Sequence, residues 1–293
     1  MPAYEIPPAK LVDIYYNRNN WRFGMIKIVV ADIDNTLTVK HRDISDYTRN
    51  IINELQANGI LFGLASGRDI ESLHQLEDKW DIKADLLIGN NGSEYYDGIL
   101  DKHHVFYMMD KEWIRKTFEI MQPFKYKVWM KNGDTFYNSD EKAARNSSKY
   151  MNGEVKVKIT KNPEDYVLDG SFKIGFRVSE EDMPAIEKRV ASYELEGFKG
   201  VKTESTMYEF CNALASKGKL LEEFGRIHNI NKDEIASFGD MSNDISLFEV
   251  SGMAVCMING SDDAKSKANH ITDKDVDHDG FADYVDRYIL KGE

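Results

Sequence analysis

Cysteine is nearly absent: Cys211 and Cys256 are the only two in 293 residues. That excludes a disulfide scaffold and a Cys-rich zinc module, and a chain of this length buries a sizeable core without such staples. Long apolar runs are missing too. No stretch approaches the ~18 apolar residues that would span a bilayer. The polar segment Met1–Trp21, with Pro2, Pro7 and Pro8, has no apolar signal-peptide core. A soluble, cytoplasmic protein with no membrane partner is the expectation. Basic residues are in deficit, 38 Lys and Arg against 50 Asp and Glu, for a net charge of −12. A field of that sign repels phosphate backbones, so nucleic acid is not expected as a partner. What remains is a globular balance of 42% apolar and 30% charged residues, long enough for one large or two ordinary domains.

Periodicity divides the chain. Ile26–Ala31 is a nearly continuous β-branched run, the pattern of a strand buried on both faces. Ser45–Asn58 reads as a helix lined by Ile51, Ile52 and Leu55 and stopped by Gly59. A second buried strand is expected at Ile60–Ala65, a helix at Asp69–Trp80 and a third strand at Asp85–Gly89. Such alternation implies a parallel, doubly wound sheet, hence an α/β fold. Between Glu94 and Ser205 the texture changes. Helices are expected at Lys111–Pro123, Asp140–Met151 and Glu180–Leu195, with alternating strands at Tyr126–Met130, Val155–Thr160 and Phe172–Val178. Alternation implies a sheet with one wet face. Buried-strand texture returns after Tyr208, at Ile235–Phe238 and Met253–Met257. The chain therefore reads as an extension over 1–24, a parallel-sheet core over 25–93 and 206–293, and an α+β insert over 94–205.

The chemistry-bearing residues fall at strand ends. Asp32 and Asp34, in Asp32-Ile33-Asp34-Asn35-Thr36-Leu37, are two apart and point to one side, beyond a strand end where open α/β sheets bind ligands. Two close carboxylates want a cation, a shared proton, or both; alternatively, one caps the turn and the other is solvated. Ser66-Gly67-Arg68 offers a hydroxyl and free N–H groups to an anion, or an ordinary helix cap. Lys217, in Ser216-Lys217-Gly218-Lys219, opens a helix where a cation opposes the macrodipole. A nearby anion compensates such a violation; a solvated surface lysine is the plainer alternative. Gly239-Asp240-Met241-Ser242-Asn243-Asp244 adds two more acids at a strand end, hard oxygen ligands of the type Mg²⁺ prefers. Singly, each motif has a structural explanation. Jointly, they supply a nucleophile, a metal cage and phosphate-neutralising donors, the parts of phosphoryl transfer.

With these four motifs in this order, residues 25–293 resemble the haloacid dehalogenase superfamily, specifically its Cof-like class IIB phosphohydrolases. Asn90-Asn91-Gly92 and Asp279-Gly280-Phe281 are smaller echoes. The resemblance implies a Rossmann-like parallel-sheet core with the α+β insert as a cap domain. It implies Asp32 as the nucleophile that forms an aspartyl-phosphate and Asp34 as the general acid and base. Ser66, Gly67, Lys217 and Asn243 would hold phosphate. Asp32, Asp34 through its carbonyl, Asp240 and Asp244 would surround Mg²⁺. The implied protein is a Mg²⁺-dependent phosphomonoesterase for small phosphorylated metabolites, sugar phosphates first, and a monomer or small homo-oligomer. Lys131, Arg177 and Tyr208 are the expected cap contacts to substrate. A phosphomutase or phosphotransferase working through the same aspartyl-phosphate is the alternative. Asn35 stands where many relatives have Gly, and Ser66 where Thr is common; neither departure removes a catalytic group.

Three features compete. Asp275–Asp286 has the acid spacing of an EF-hand calcium loop, with Gly280 at its sixth position, but Asp286 replaces the usual glutamate and no entering helix precedes it. A calcium-binding module is the distant alternative. The pair His103-His104 reads as a solvated loop rather than a zinc site. Trp113, Phe118, Phe124 and Trp129 read as core.

Overall fold

The computed structural model describes residues 26–39, 42–150 and 156–292; the expected extension over 1–24 lies outside them. The chain separates into two units, one running to His104 and resuming at Ser216, the other spanning Val105–Ala215.

The first unit opens with β1 (Ile28–Ala31), α1 (Asp46–Ala57), β2 (Leu61–Ala65), α2 (Ile70–Trp80) and β3 (Leu86–Gly89). All four residues of β1 are fully buried, as a β-branched run in a strand covered on both faces requires. Ser45 caps α1 by accepting from Thr48 N, and Asp69 caps α2 by accepting from Ser72 N, each satisfying an orphan donor of the first turn. The chain does not leave the sheet at residue 94. β4 (Glu94–Asp97) pairs antiparallel with β3, and β5 (Lys102–Val105) lies beyond it at the edge. His103 and His104 therefore stand on a strand rather than a solvated loop.

The second unit comprises α3 (Lys111–Met121), β6 (Lys127–Asn132), β7 (Thr135–Asn138), α4 (Glu141–Tyr150), β8 (Lys156–Ile159), β9 (Ser171–Arg177), α5 (Met183–Ala191), β10 (Phe198–Glu204) and β11 (Met207–Asn212). Its sheet runs β10-β11-β9-β6-β7-β8, antiparallel except for β7 with β8. Ile114, Phe118 and Met121 of α3 and Met183, Ile186 and Val190 of α5 form a core with Val128, Met130, Ile174, Phe176 and Phe210. The boundaries differ from the expected 94–205 at both ends. β4 and β5 extend the first sheet. β11 is buried along its whole length, which imitates a core strand, but its partners are β9 and β10 of the second sheet.

The first unit resumes with α6 (Lys217–His228), β12 (Ile235–Gly239), α7 (Ile245–Glu249), β13 (Met253–Cys256), α8 (Asp262–Lys267), β14 (His270–Ile271) and α9 (Gly280–Tyr284), which runs into a π-helical turn over Val285–Leu290. Its sheet has the order β14-β13-β12-β1-β2-β3-β4-β5, with β1 parallel to both β12 and β2. Successive strands move away from β1 on one side and from β12 on the other. The topological switch point thus falls between β1 and β12, where doubly wound sheets bind ligands beyond their carboxyl ends. No helix among the described residues is long and apolar enough to cross a membrane.

Candidate active site

Asp32 follows β1 and Asp240 follows β12, so the switch point delivers one acid from each side. Asp244 returns toward Asp240 because the chain turns tightly after β12; a Cβ on Gly239 would collide with the Asp244 side chain. Asp32, Asp240 and Asp244 each offer a carboxylate oxygen within 4.8 Å of the others, and theirs is the only such acidic, histidine or cysteine group among the described residues.

Lys217, at the start of α6, projects its ammonium between two of these acids. Nζ donates to Asp32 Oδ1 and to Asp244 Oδ1 at 2.6 Å each, with none of the lysine side chain exposed. The lysine that opposes its helix dipole is thus neither solvated nor unpaired. Burial works against its charge, but Asp244 and Asp32 more than offset this and hold it protonated well above the ordinary lysine range.

Burial pushes the Asp32 carboxyl up to about 7, against the pull of Lys217 and with a push from Asp244. Asp240 rises to about 8, through burial and then repulsion from Asp32 and Asp244, opposed by Lys217 and a hydrogen bond from Asn35. One lysine does not neutralise three buried acids. The surplus negative charge, carried on hard oxygens at a strand end, fits a divalent cation of the Mg²⁺ type. The acids are not equivalent in that role. Asp244 Oδ1 is held by Lys217, and its Oδ2 accepts from Asp240 N and Met241 N at 3.0 and 3.2 Å. Asp34 is not one of this trio, though its charge adds to the push on Asp32; Arg68 Nη2 donates to both of its oxygens, at 2.8 and 3.1 Å.

Two further expected residues, Ser66 and Asn243, belong to the first unit. Ser66 is 2% exposed and its Oγ accepts from Arg68 N. Asn243 is exposed and its Nδ2 donates to Asn91 Oδ1. In the second unit, Lys131 and Arg177 alternate with the core residues Met130 and Phe176, which puts both on the open face of that sheet. Arg177 there meets Thr206 and Glu204. Tyr208 corrects the expectation. It lies on the core side with Phe210, 4% exposed, its ring 5.4 Å from the Phe210 ring, because residues two apart on a strand share a face. Trp113, Phe118 and Phe124 pack in or against the core as expected. Trp129 instead lies under the Lys173 ammonium, 5.3 Å from its ring centre.

The acidic loop is not a calcium cage. Asp275 Oδ1 accepts from His278, Asp277 pairs with Arg42, Asp279 accepts from Ser45, Asp283 pairs with Lys274, and Asp286 pairs with Lys291. The carboxylates turn to separate partners and do not converge. Two site-lining residues were given no role by their sequence positions. Arg68 directly follows Ser66-Gly67, a signal that could have found it; Asn91 had only its place in Asn90-Asn91-Gly92.

A doubly wound sheet with four acids, a buried lysine and a serine around its switch point defines a phosphoryl-transfer hydrolase architecture. A family model described as haloacid dehalogenase-like hydrolase matches residues 29–285, and the chain belongs to that family. It is similar to the Bacillus subtilis 5-amino-6-(5-phospho-D-ribitylamino)uracil phosphatase YcsE, 25% identical over 271 residues covering 90% of this chain and 96% of the relative. Among solved structures, a haloacid dehalogenase-like hydrolase from Bacteroides thetaiotaomicron superposes with a TM-score of 0.76 at 20% identity, covering 89% of this chain and 99% of that one. The subclass IIB sugar phosphatase BT4131 gives 0.72 at 19% identity, covering 89% and 98%. The curated relatives it matches are named phosphatases, and within the family the chain is a phosphomonoesterase.

Proposed function

We propose that the protein is a Mg²⁺-dependent phosphatase of small sugar or polyol phosphates that works through an aspartyl-phosphate on Asp32. The observation that carries the reading is the buried Lys217 ammonium held between Asp32 and Asp244, with Asp240 beside them. A carboxylate oxygen of Asp32 attacks phosphorus as the bond to the leaving oxygen breaks, and Asp34 gives that oxygen its proton. Asp34 then takes a proton from water, whose oxygen attacks phosphorus and releases Asp32 and inorganic phosphate. Splitting the displacement in this way replaces one hard step by two easier ones. Arg68 keeps Asp34 in a fixed position until it is used. Lys217 and Ser66, with Gly67 and Asn243, hold the phosphoryl oxygens.

Asp32, Asp240 and the carbonyl of Asp34 would hold Mg²⁺, while Asp244, its oxygens already engaged, fixes Lys217. When bound, the ion offsets repulsion between an anionic nucleophile and an anionic substrate. The second unit acts as the cap, and Lys131 and Arg177 on its open sheet face select the substrate. The phosphorylated ribityl chain in the name of the Bacillus subtilis relative supports a sugar-like alcohol as leaving group.

The test is phosphate release from sugar, polyol, nucleotide and cofactor phosphates, with Mg²⁺ or chelator, for the wild type and Asp32→Asn. Mg²⁺-dependent release that Asp32→Asn abolishes is expected, with sugar or polyol phosphates first. Phosphate exchange that needs a sugar bisphosphate, without net release, would replace this reading by a phosphomutase. Unchanged specificity in Lys131→Ala and Arg177→Ala would remove the assignment of the cap residues.

A further inference from the structure

The chain leaves β3 through Asn90, Asn91 and Gly92, all in the left-handed region at φ 48, 55 and 93°. Asparagine visits that region more readily than other side-chain-bearing residues. Gly92 has no substitute, because a Cβ there would collide with the backbone of Ser216 and Lys217. The loop is held from below. Asn90 Nδ2 donates to the buried Glu94 at 2.6 Å, and Ile70 N and His103 meet the same carboxylate. Above, Asn90 N donates to Arg68 O at 2.7 Å and Asn91 N to Ser66 O at 3.0 Å. The Asn91 side chain reaches two ways. Its Oδ1 accepts from Asn243 Nδ2 at 3.2 Å. Its amide also lies against Gly67, where a Cβ would stand 3.3 Å from Nδ2. One three-residue loop thus touches the Ser66–Arg68 turn, the start of α6 and the turn after β12.

We propose that Asn91 is a positioning residue for phosphate binding, its amide setting the spacing between Ser66-Gly67 on one side and Asn243 on the other. The inference rests on the reading that these residues hold the phosphoryl oxygens. A side chain that only filled space at this point would need neither the acceptor toward Asn243 nor the left-handed backbone that aims it.

Asn91→Gly is the clean perturbation, because glycine keeps the left-handed backbone without strain and loses only the amide. Inhibition by inorganic phosphate, and kcat and KM for p-nitrophenyl phosphate, are measured at saturating Mg²⁺ beside the melting temperature. The inhibition constant and KM are expected to rise together by about three- to tenfold, the range of one or two neutral hydrogen bonds. The change in kcat is smaller and the melting temperature is nearly unaltered. Asn91→Asp keeps the acceptor for Asn243 but sets a charge beside the bound anion. It raises the inhibition constant further, by an increment that shrinks with added salt. Wild-type phosphate inhibition and KM in both variants overturn the inference. So does failure of both variants to fold, which would make the loop purely structural. A wild-type protein that neither cleaves p-nitrophenyl phosphate nor binds phosphate overturns the functional reading instead.

Discussion

Replacing Lys217 by methionine keeps the length of the side chain and removes its charge. In the wild type the ammonium is buried and lies 2.6 Å from both Asp32 and Asp244. The variant leaves two buried carboxylates facing each other with nothing positive between them. Breaking a buried ion pair from one side costs about 3–5 kcal/mol. For a unit of this size 1 kcal/mol corresponds to about 2–4 °C, so metal-free protein should melt about 6–20 °C lower near pH 8. The loss carries a signature. Protonating either acid removes one of the two uncompensated charges and the repulsion between them, and Asp32 already rises to about 7 with Lys217 present. Without the lysine it rises further, so the gap between variant and wild type closes as pH falls toward about 5. Calorimetry of chelator-treated protein across that range measures both effects. A deficit below about 1 kcal/mol, the value of an exposed pair, and constant with pH would refute the argument.

Metal binding should show the same acids from the other side. Asp32 and Asp240 are raised to about 7 and about 8, so the stability they lend the metal-free fold is present at low pH and is lost as pH rises through those values. Stabilisation by Mg²⁺, which needs both ionised, should therefore grow between about pH 5.5 and 8.5; thermal shifts independent of pH would count against it. Asp34→Asn should lower kcat by about 10²–10⁴ for an alkyl phosphate, but with p-nitrophenyl phosphate, whose leaving group needs no proton, it should spare the initial burst of nitrophenol and slow only the water attack that follows; a burst slowed as much as alkyl phosphate turnover would deny Asp34 the acid role. Gly92→Ala adds a Cβ against Ser216 at a positive φ and should destabilise by at least about 1–3 kcal/mol with lost activity. A melting curve and kcat like the wild type would mean the loop yields freely.

The motif-bearing turns were legible in the sequence because each depends on chemistry local to a strand end. The β-branched run before Asp32 reads as a buried strand, and Ser45 and Asp69 read as helix starts because their oxygens satisfy nearby N–H groups. The edges of the insert were not legible. β4 forms by antiparallel pairing with β3 and β5 joins the sheet beyond it, while β11 is buried in the second sheet as thoroughly as a strand in the first. Burial alone does not say which sheet a strand joins. The same limit misplaced Tyr208, whose face follows from the pairing register.

The sequence by itself determined the set of groups: two acids after β1, a serine after β2, a lysine opening α6 and two more acids after β12. Spacing of one to four residues fixes such local arrangements, since backbone geometry carries them. Only the tertiary structure decided what those groups do to one another. Asp32, Lys217 and Asp244 lie 185 and 27 residues apart along the chain, and their 2.6 Å contacts exist because strand order brings β1 beside β12. The same long-range pairing turned the acidic C-terminal loop from a metal-like pattern into a set of separate ion pairs and caps. It also made Asn91, which has no catalytic chemistry of its own, the neighbour of two turns at the site.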